Sequence, residues 1–180
     1  MKKVILIVVG TFIISYCFAQ VDTIHLKSKE TNGQDETMLV TDRPPQAVYF
    51  GLFGAGPIFS VIYDRRFAKK LNGFGFATGF GFWGGSGTAI FSFPVSINYL
   101  FGKKNNFVEL AAGVTFATST YDNLDDGGNS TDNSIIGHIN LGYRYQQAKG
   151  GFFARIGISP LFFGDGTYVT SFYLGLGTSF

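Results

Sequence analysis

His138 is the one histidine downstream of residue 46, so any imidazole chemistry in the second half of the chain must run through it. A histidine beside a serine or a carboxylate could act as general base for attack on an ester. Ser119, Ser134 and Asp132 are the nearest candidates in sequence, but no spacing or motif ties them to it. A second group is Asp64, Arg66, Glu109, Arg144 and Arg155, which with His138 share the parity opposite to the phenylalanines around them. Three arginines against two acids would make an ion-paired interior. The alternatives are a gated polar path or an anion site built on the arginine excess. A third group is acidic: Asp122, Asp125, Asp126 and Asp132 lie between residues 119 and 133 with no Lys or Arg. Leu124 falls where a calcium loop starting at Asp122 needs an oxygen, and no Glu closes it, so the expectation is a solvated loop open to contact. No catalytic residue, metal or cofactor is assigned, and His25 lies outside the patterned region.

Something must hold these side chains on one face, and the period of the chain says what. From Ala47 the apolar period is two, which predicts strands near 47–55, 58–67, 73–83, 89–101, 106–118, 134–146, 151–162 and 170–180. In the third, Phe74, Phe76, Phe80 and Phe82 alternate with Gly73, Gly75, Gly79 and Gly81. In the last, Phe172, Leu174, Leu176 and Phe180 oppose Gly175, Gly177 and Ser179. Pro94 and Pro160 remove ladder donors, so bulges are expected there. Trp83, Tyr99, Tyr143, Tyr145 and Tyr173 fall near strand ends, where interfacial girdles sit, although parity turns Trp83 and Tyr173 inward.

Alternation alone does not say which face meets water. A solvated strand face carries Lys, Glu and Thr, yet no Lys lies within a strand core and the polar face is Gly, Ser, Ala and Asn. That composition suits a packed lumen, and the Phe-rich face suits lipid. In lipid every backbone group must be paired internally, so the strands must close. The predicted fold is therefore all-β: an eight-stranded antiparallel up-and-down transmembrane β-barrel over residues 47–180. Three short basic turns, 68–72, 102–105 and 147–150, would lie on the side of both termini, and the long acidic loop on the other.

The leader is read separately. Lys2 and Lys3 precede an apolar run, and Cys17-Phe18-Ala19 offers a cleavage site, so residues 1–19 are expected to be a signal peptide. Tyr16 before Cys17 is too bulky for a lipid-attachment site, and cleavage after Ala19 would leave no cysteine. Residues 20–46 are polar and without period, a flexible periplasmic segment. Setting aside Lys2 and Lys3, the 14 basic residues become 12 and balance the 12 acidic ones, which removes any case for nucleic acid as a partner. Charge is sparse, whereas Gly (25) and Phe (21) are abundant, as a lipid-facing wall around a crowded lumen requires.

The chain resembles the small outer-membrane β-barrel proteins of Bacteroidota. The resemblance rests on Tyr63-Asp64-Arg65-Arg66-Phe67, the run from Phe93 to Gly102, Glu109-Leu110-Ala111-Ala112-Gly113, Gly142-Tyr143-Arg144-Tyr145-Gln146 and Gly151 to Gly157. It covers residues 47–180 and implies an outer-membrane location in a Gram-negative bacterium, with no established reaction. Phe172, Leu174, Leu176 and Phe180 resemble the terminal signal read by the barrel-assembly machinery. The expected function is a non-enzymatic integral barrel with a structural or surface-interaction role, in contact with outer-membrane lipid and an unnamed surface partner. The alternatives are a narrow channel for small solutes and a lipid-modifying enzyme using His138.

Overall fold

The computed structural model describes residue 41 and residues 43–56, 58–85, 87–122 and 129–180. The expected signal peptide, and the expected flexible segment up to residue 40, lie outside the described residues. Eight strands follow in order: β1 Gln46–Phe53, β2 Phe59–Arg66, β3 Gly73–Gly85, β4 Thr88–Lys103, β5 Asn106–Asp122, β6 Asn129–Gln146, β7 Gly151–Phe162 and β8 Tyr168–Ser179. Each pairs antiparallel with its neighbours, and β1 pairs with β8, so the sheet is a closed barrel. Beyond the last ladder pair, Gln46 and Phe180 exchange backbone bonds of 3.0 and 2.9 Å across the seam.

The register sets the shape. From Gly151 the partners run through Ser179, Ala47, Asp64, Ala77, Ser96, Gly113 and His138 to Leu161. One circuit therefore ends ten residues along β7 from where it began. With ~3.3 Å per residue and ~4.8 Å between strands, that stagger tilts the strands by ~40° and gives a backbone radius of ~8 Å. Such a ring has room for side chains and little more.

The two faces separate cleanly. Outward residues include Phe50, Val61, Phe80, Phe93, Ile97, Leu110, Phe116, Leu141, Ile156 and Leu174, all exposed apolar side chains. Phe172, Leu174 and Leu176 stand on this outer face of β8, with Phe180 half-buried at the seam. Inward residues include Ala47, Ser60, Ala77, Asn98, Ala111, Asn140 and Ser159, all buried. Gly142 shows why the inner face is small. A Cβ there would run into the Ile156 carbonyl and the Tyr173 hydroxyl. Gly142→Ala is expected to lower stability by ~1–3 kcal/mol through overpacking; urea unfolding of the refolded barrel in lipid vesicles measures it.

Three sequence expectations change. Pro94 and Pro160 cause no bulge: the β4–β5 register is constant through Pro94↔Thr115 and the β7–β8 register through Pro160↔Thr170. Instead, the opposite ladder pauses for two residues, between Thr78↔Val95 and Gly81↔Ser92, and between His138↔Leu161 and Leu141↔Ile158. A missing N–H affects one neighbour only, so a local gap suffices. The acidic loop is also shorter than 119–133. Residues 119–122 and 129–133 continue β5 and β6, paired through Ser119↔Asp132 to Asp122↔Asn129. Apart from Tyr121 their residues are polar on both faces, so no apolar period marked them as strand. Lastly, hydrogen bonds to the barrel begin before residue 47. The Thr41 amide donates to the Lys69 carbonyl at 3.0 Å, and Arg66 donates its amide to the Pro45 carbonyl at 2.9 Å.

Candidate functional site in the barrel interior

The ~40° tilt brings strands from opposite sides of the sequence to one level of the lumen. β2 supplies Asp64 and Arg66, β4 Asn98, β5 Glu109, β6 Arg144 and β7 Arg155. All are buried, with Arg144 and Glu109 fully enclosed and Arg155 the most open at 6%. Asp64 is the hub of one half. It meets Arg66 at 2.8 Å and Arg144 at 3.0 Å, and accepts from the Asn98 amide at 2.6 Å. Arg66 also donates to the Asn98 side-chain carbonyl and to the Gly73 backbone carbonyl, the latter at 3.2 Å. Glu109 is the hub of the other half, 3.0 Å from Arg155 and 3.9 Å from Arg144. Neither Glu109 oxygen receives a well-directed hydrogen bond, so its hold on the arginines is Coulombic. The order is therefore Arg66, Asp64, Arg144, Glu109, Arg155: charges of alternating sign, positive at both ends.

Aromatic rings brace the chain. Arg144 lies over Phe153 at 4.6 Å from its centroid, and Phe153 stacks on Tyr49 at 4.8 Å. Arg155 lies over Tyr173 at 4.3 Å and Tyr49 at 5.3 Å, and donates to the Tyr49 hydroxyl at 2.7 Å. Tyr173 is thus an interior residue and not a girdle residue; the inward parity governs. Tyr143, by contrast, stands on the outer wall and bonds Asn106. On the side of the termini, Leu71, Leu100 and Phe107 form a buried apolar cluster with Ala148 packed against it.

Away from the termini the interior changes character. A cavity of about 30 Å³ opens beside Arg155, Tyr49 and Tyr173, with Ser60, Ser96 and Asn140 in its wall. Beyond it Thr115 donates to the Ala55 carbonyl at 2.5 Å, which draws the β1–β2 connection into the mouth of the barrel. Phe53 and Gly54 make that inward turn with φ of 57° and 73°. His138 packs here, 2% exposed, with Nδ1 3.3 Å from the Thr115 hydroxyl. The hydroxyl already donates to Ala55, so it accepts from Nδ1–H, and Nε2 is left as a buried acceptor without a partner among the described residues.

The sequence candidates fall into three places. Asp64, Arg66, Glu109, Arg144 and Arg155 are joined in one network, while His138 sits apart from it. Ser134 and Asp132 are four and six residues from His138 on the same strand, ~13 and ~20 Å away, and Ser119 faces Asp132. No Ser–His–acid constellation forms from these residues. Asp132 is exposed on β6 and Asp122 ends β5, whereas Asp125 and Asp126 lie outside the described residues. Sequence reasoning missed Tyr49, Asn98 and Phe153 as members of the network. Parity places Asn98 and Phe153 inward, but neither residue type by itself advertises a partner.

The fold and its interior define a class: a closed eight-stranded antiparallel barrel with an apolar outer wall and an ion-paired core. No protein-family model matches the chain, and no curated protein matches it. Solved structures do. The N-terminal β-barrel domain of Pseudomonas aeruginosa OprF aligns with a TM-score of 0.54 and 14% identity, over 76% of this chain and 96% of that one. Neisserial surface protein A aligns at 0.46 and 18%, over 76% and 92%. A major outer membrane protein from Thermus thermophilus aligns at 0.44 and 11%, over 77% and 99%. At such identities the OprF likeness shows the fold, and nothing about this chain's activity follows from it.

Proposed function

We propose that this chain is an integral outer-membrane barrel of a Gram-negative bacterium whose lumen is plugged by its own side chains, with a structural or surface-interaction role. The observation that carries the plug is the alternating chain from Arg66 to Arg155. It crosses the lumen at one level, backed by Phe153, Tyr49 and Tyr173 on the strands and by Leu71, Leu100 and Phe107 below. Charges this enclosed hold their geometry because separating any pair strands a buried ion. The apolar outer wall supports a lipid environment, since so large a greasy surface is unfavourable in water. Similarity in fold to the OprF barrel domain supports the outer-membrane location. Outer-membrane lipid and, during biogenesis, the barrel-assembly machinery would be its general partners.

The surface role falls to the β5–β6 ribbon, which continues about six residues, or ~20 Å, past Ile135 with exposed polar side chains on β6. Asp132 is its described acidic residue, and Asp122, Asp125 and Asp126 complete the acidic stretch in sequence. A lipid-modifying enzyme would need its histidine open to the leaflet, whereas His138 is enclosed and engaged with Thr115.

Planar-bilayer recording separates plug from pore. The purified barrel, reconstituted in planar bilayers, is expected to give no conductance steps. Reproducible steps that disappear when Arg144 is replaced would establish the narrow-channel reading instead.

A further inference from the structure

We propose that the lumen binds a halide-sized monovalent anion in the cavity at Arg155, and that this anion completes the interior charge balance. This goes beyond the plug reading and holds whether or not the lumen conducts.

Among the described residues, the buried ionic network contains three guanidinium groups and two carboxylates, and with His138 neutral it carries one positive charge in excess. A buried charge without a counter-charge is costly, and the ring is too narrow to hydrate it freely. The topology of the pairing then says where the excess sits. In an alternating chain that begins and ends with arginine, each inner arginine or acid has opposite charges on both sides, and only the two ends lack one. At the Arg66 end the guanidinium is covered by carbonyl oxygens of Gly73 and Asn98, whose dipoles partly stand in for an anion. At the Arg155 end the contacts beyond Glu109 are neutral: a tyrosine hydroxyl and two aromatic rings. Arg155 is also the most open of the five and is the one in the wall of the cavity described above.

The cavity suits the ion in size and chemistry. About 30 Å³ is enough for one or two waters or a single halide. Ser96 and Asn140 offer hydroxyl and amide donors around it, whereas the Ser60 hydroxyl donates to the Gly51 carbonyl at 3.4 Å. Asn140 accepts from the Ser159 hydroxyl at 2.7 Å through its carbonyl, which leaves the amide end as the donor toward the lumen. The Thr115–Ala55 bond holds the β1–β2 connection over the mouth above.

Bromide is the probe. Crystals of the folded barrel grown in sodium bromide are expected to show an anomalous peak within hydrogen-bond reach of the Arg155 guanidinium. In detergent at constant ionic strength, replacing gluconate by bromide at roughly ten times its Kd should raise the melting temperature by ~3–6 °C. Glu109→Gln, which leaves two uncompensated charges, should steepen the bromide dependence, and Arg155→Gln should abolish it. If Arg155→Gln does not fold, the Glu109→Gln comparison carries the test. Equal melting in the two salts, bromide found on the outer wall alone, or a bromide response unchanged by Glu109→Gln would each overturn the proposal. Because these readouts are binding and stability, a conducting lumen would refute the plug without touching them.

Discussion

Glu109→Ala is expected to cost the barrel about 3–5 kcal/mol, the range found when one member of a buried ion pair is deleted. Glu109 is fully enclosed and stands between Arg155 at 3.0 Å and Arg144 at 3.9 Å. Its removal leaves Arg155 with neutral neighbours and deprives Arg144 of one of its two acids. The pair gains little from hydrogen-bond geometry, because neither carboxylate oxygen is well aligned with a donor. The loss is therefore mainly the cost of the orphaned cation, and that makes a sharp control. Replacing both members, Glu109→Leu with Arg155→Met, should recover much of the loss, since the coupled pair is removed together. Urea unfolding of the refolded barrel, carried out in halide-free buffer, is the measurement. A Glu109→Ala protein that melts like wild type would defeat the plug.

Val61→Arg should cost about 2–4 kcal/mol, for a different reason: the bilayer penalty on a charge facing lipid. Val61 is the third residue of β2, stands on the outer wall between Phe59 and Tyr63, is 55% exposed, and pairs with Phe50 on one side and Phe80 on the other. If acyl chains cover this wall, an arginine there sits near the bilayer midplane, where the penalty is largest. Thr120→Arg, on the part of β5 beyond the apolar belt, should cost no more than about 1 kcal/mol. Folding into vesicles across a urea series reads both. Equal, small effects at the two positions would mean that this wall faces water. The contrast matters because a barrel with its greasy side in solvent would be a different molecule.

Much of the architecture was legible from parity. Alternation of Phe with Gly in β3, and of Phe, Val and Ile with Ser and Asn in β4, assigns each side chain to a face without knowledge of its neighbours, because strand side chains alternate strictly. The same rule sent Asp64, Arg66, Glu109, His138, Arg144 and Arg155 inward before any pairing was known. It worked where one face was apolar. It gave no signal for residues 119–122 and 129–133, which apart from Tyr121 are polar on both faces and form strand because their ladder continues upward. Pro94 and Pro160 misled for a related reason. Sequence shows that a donor is missing but not that the neighbouring ladder can skip two residues and resume in register.

The inward set, the number of strands and the apolar wall were determined by the chain's own period and composition, since these depend on local backbone geometry and on transfer to a greasy medium. Which arginine meets which acid was decided by the closed barrel alone. A ten-residue stagger around the ring sets the level at which β2, β5, β6 and β7 face one another, and that quantity is the sum of all eight registers, so no single strand encodes it. The same closure makes Asp64 a partner of Arg144 from across the lumen and leaves Arg155 at the end of the chain beside a cavity.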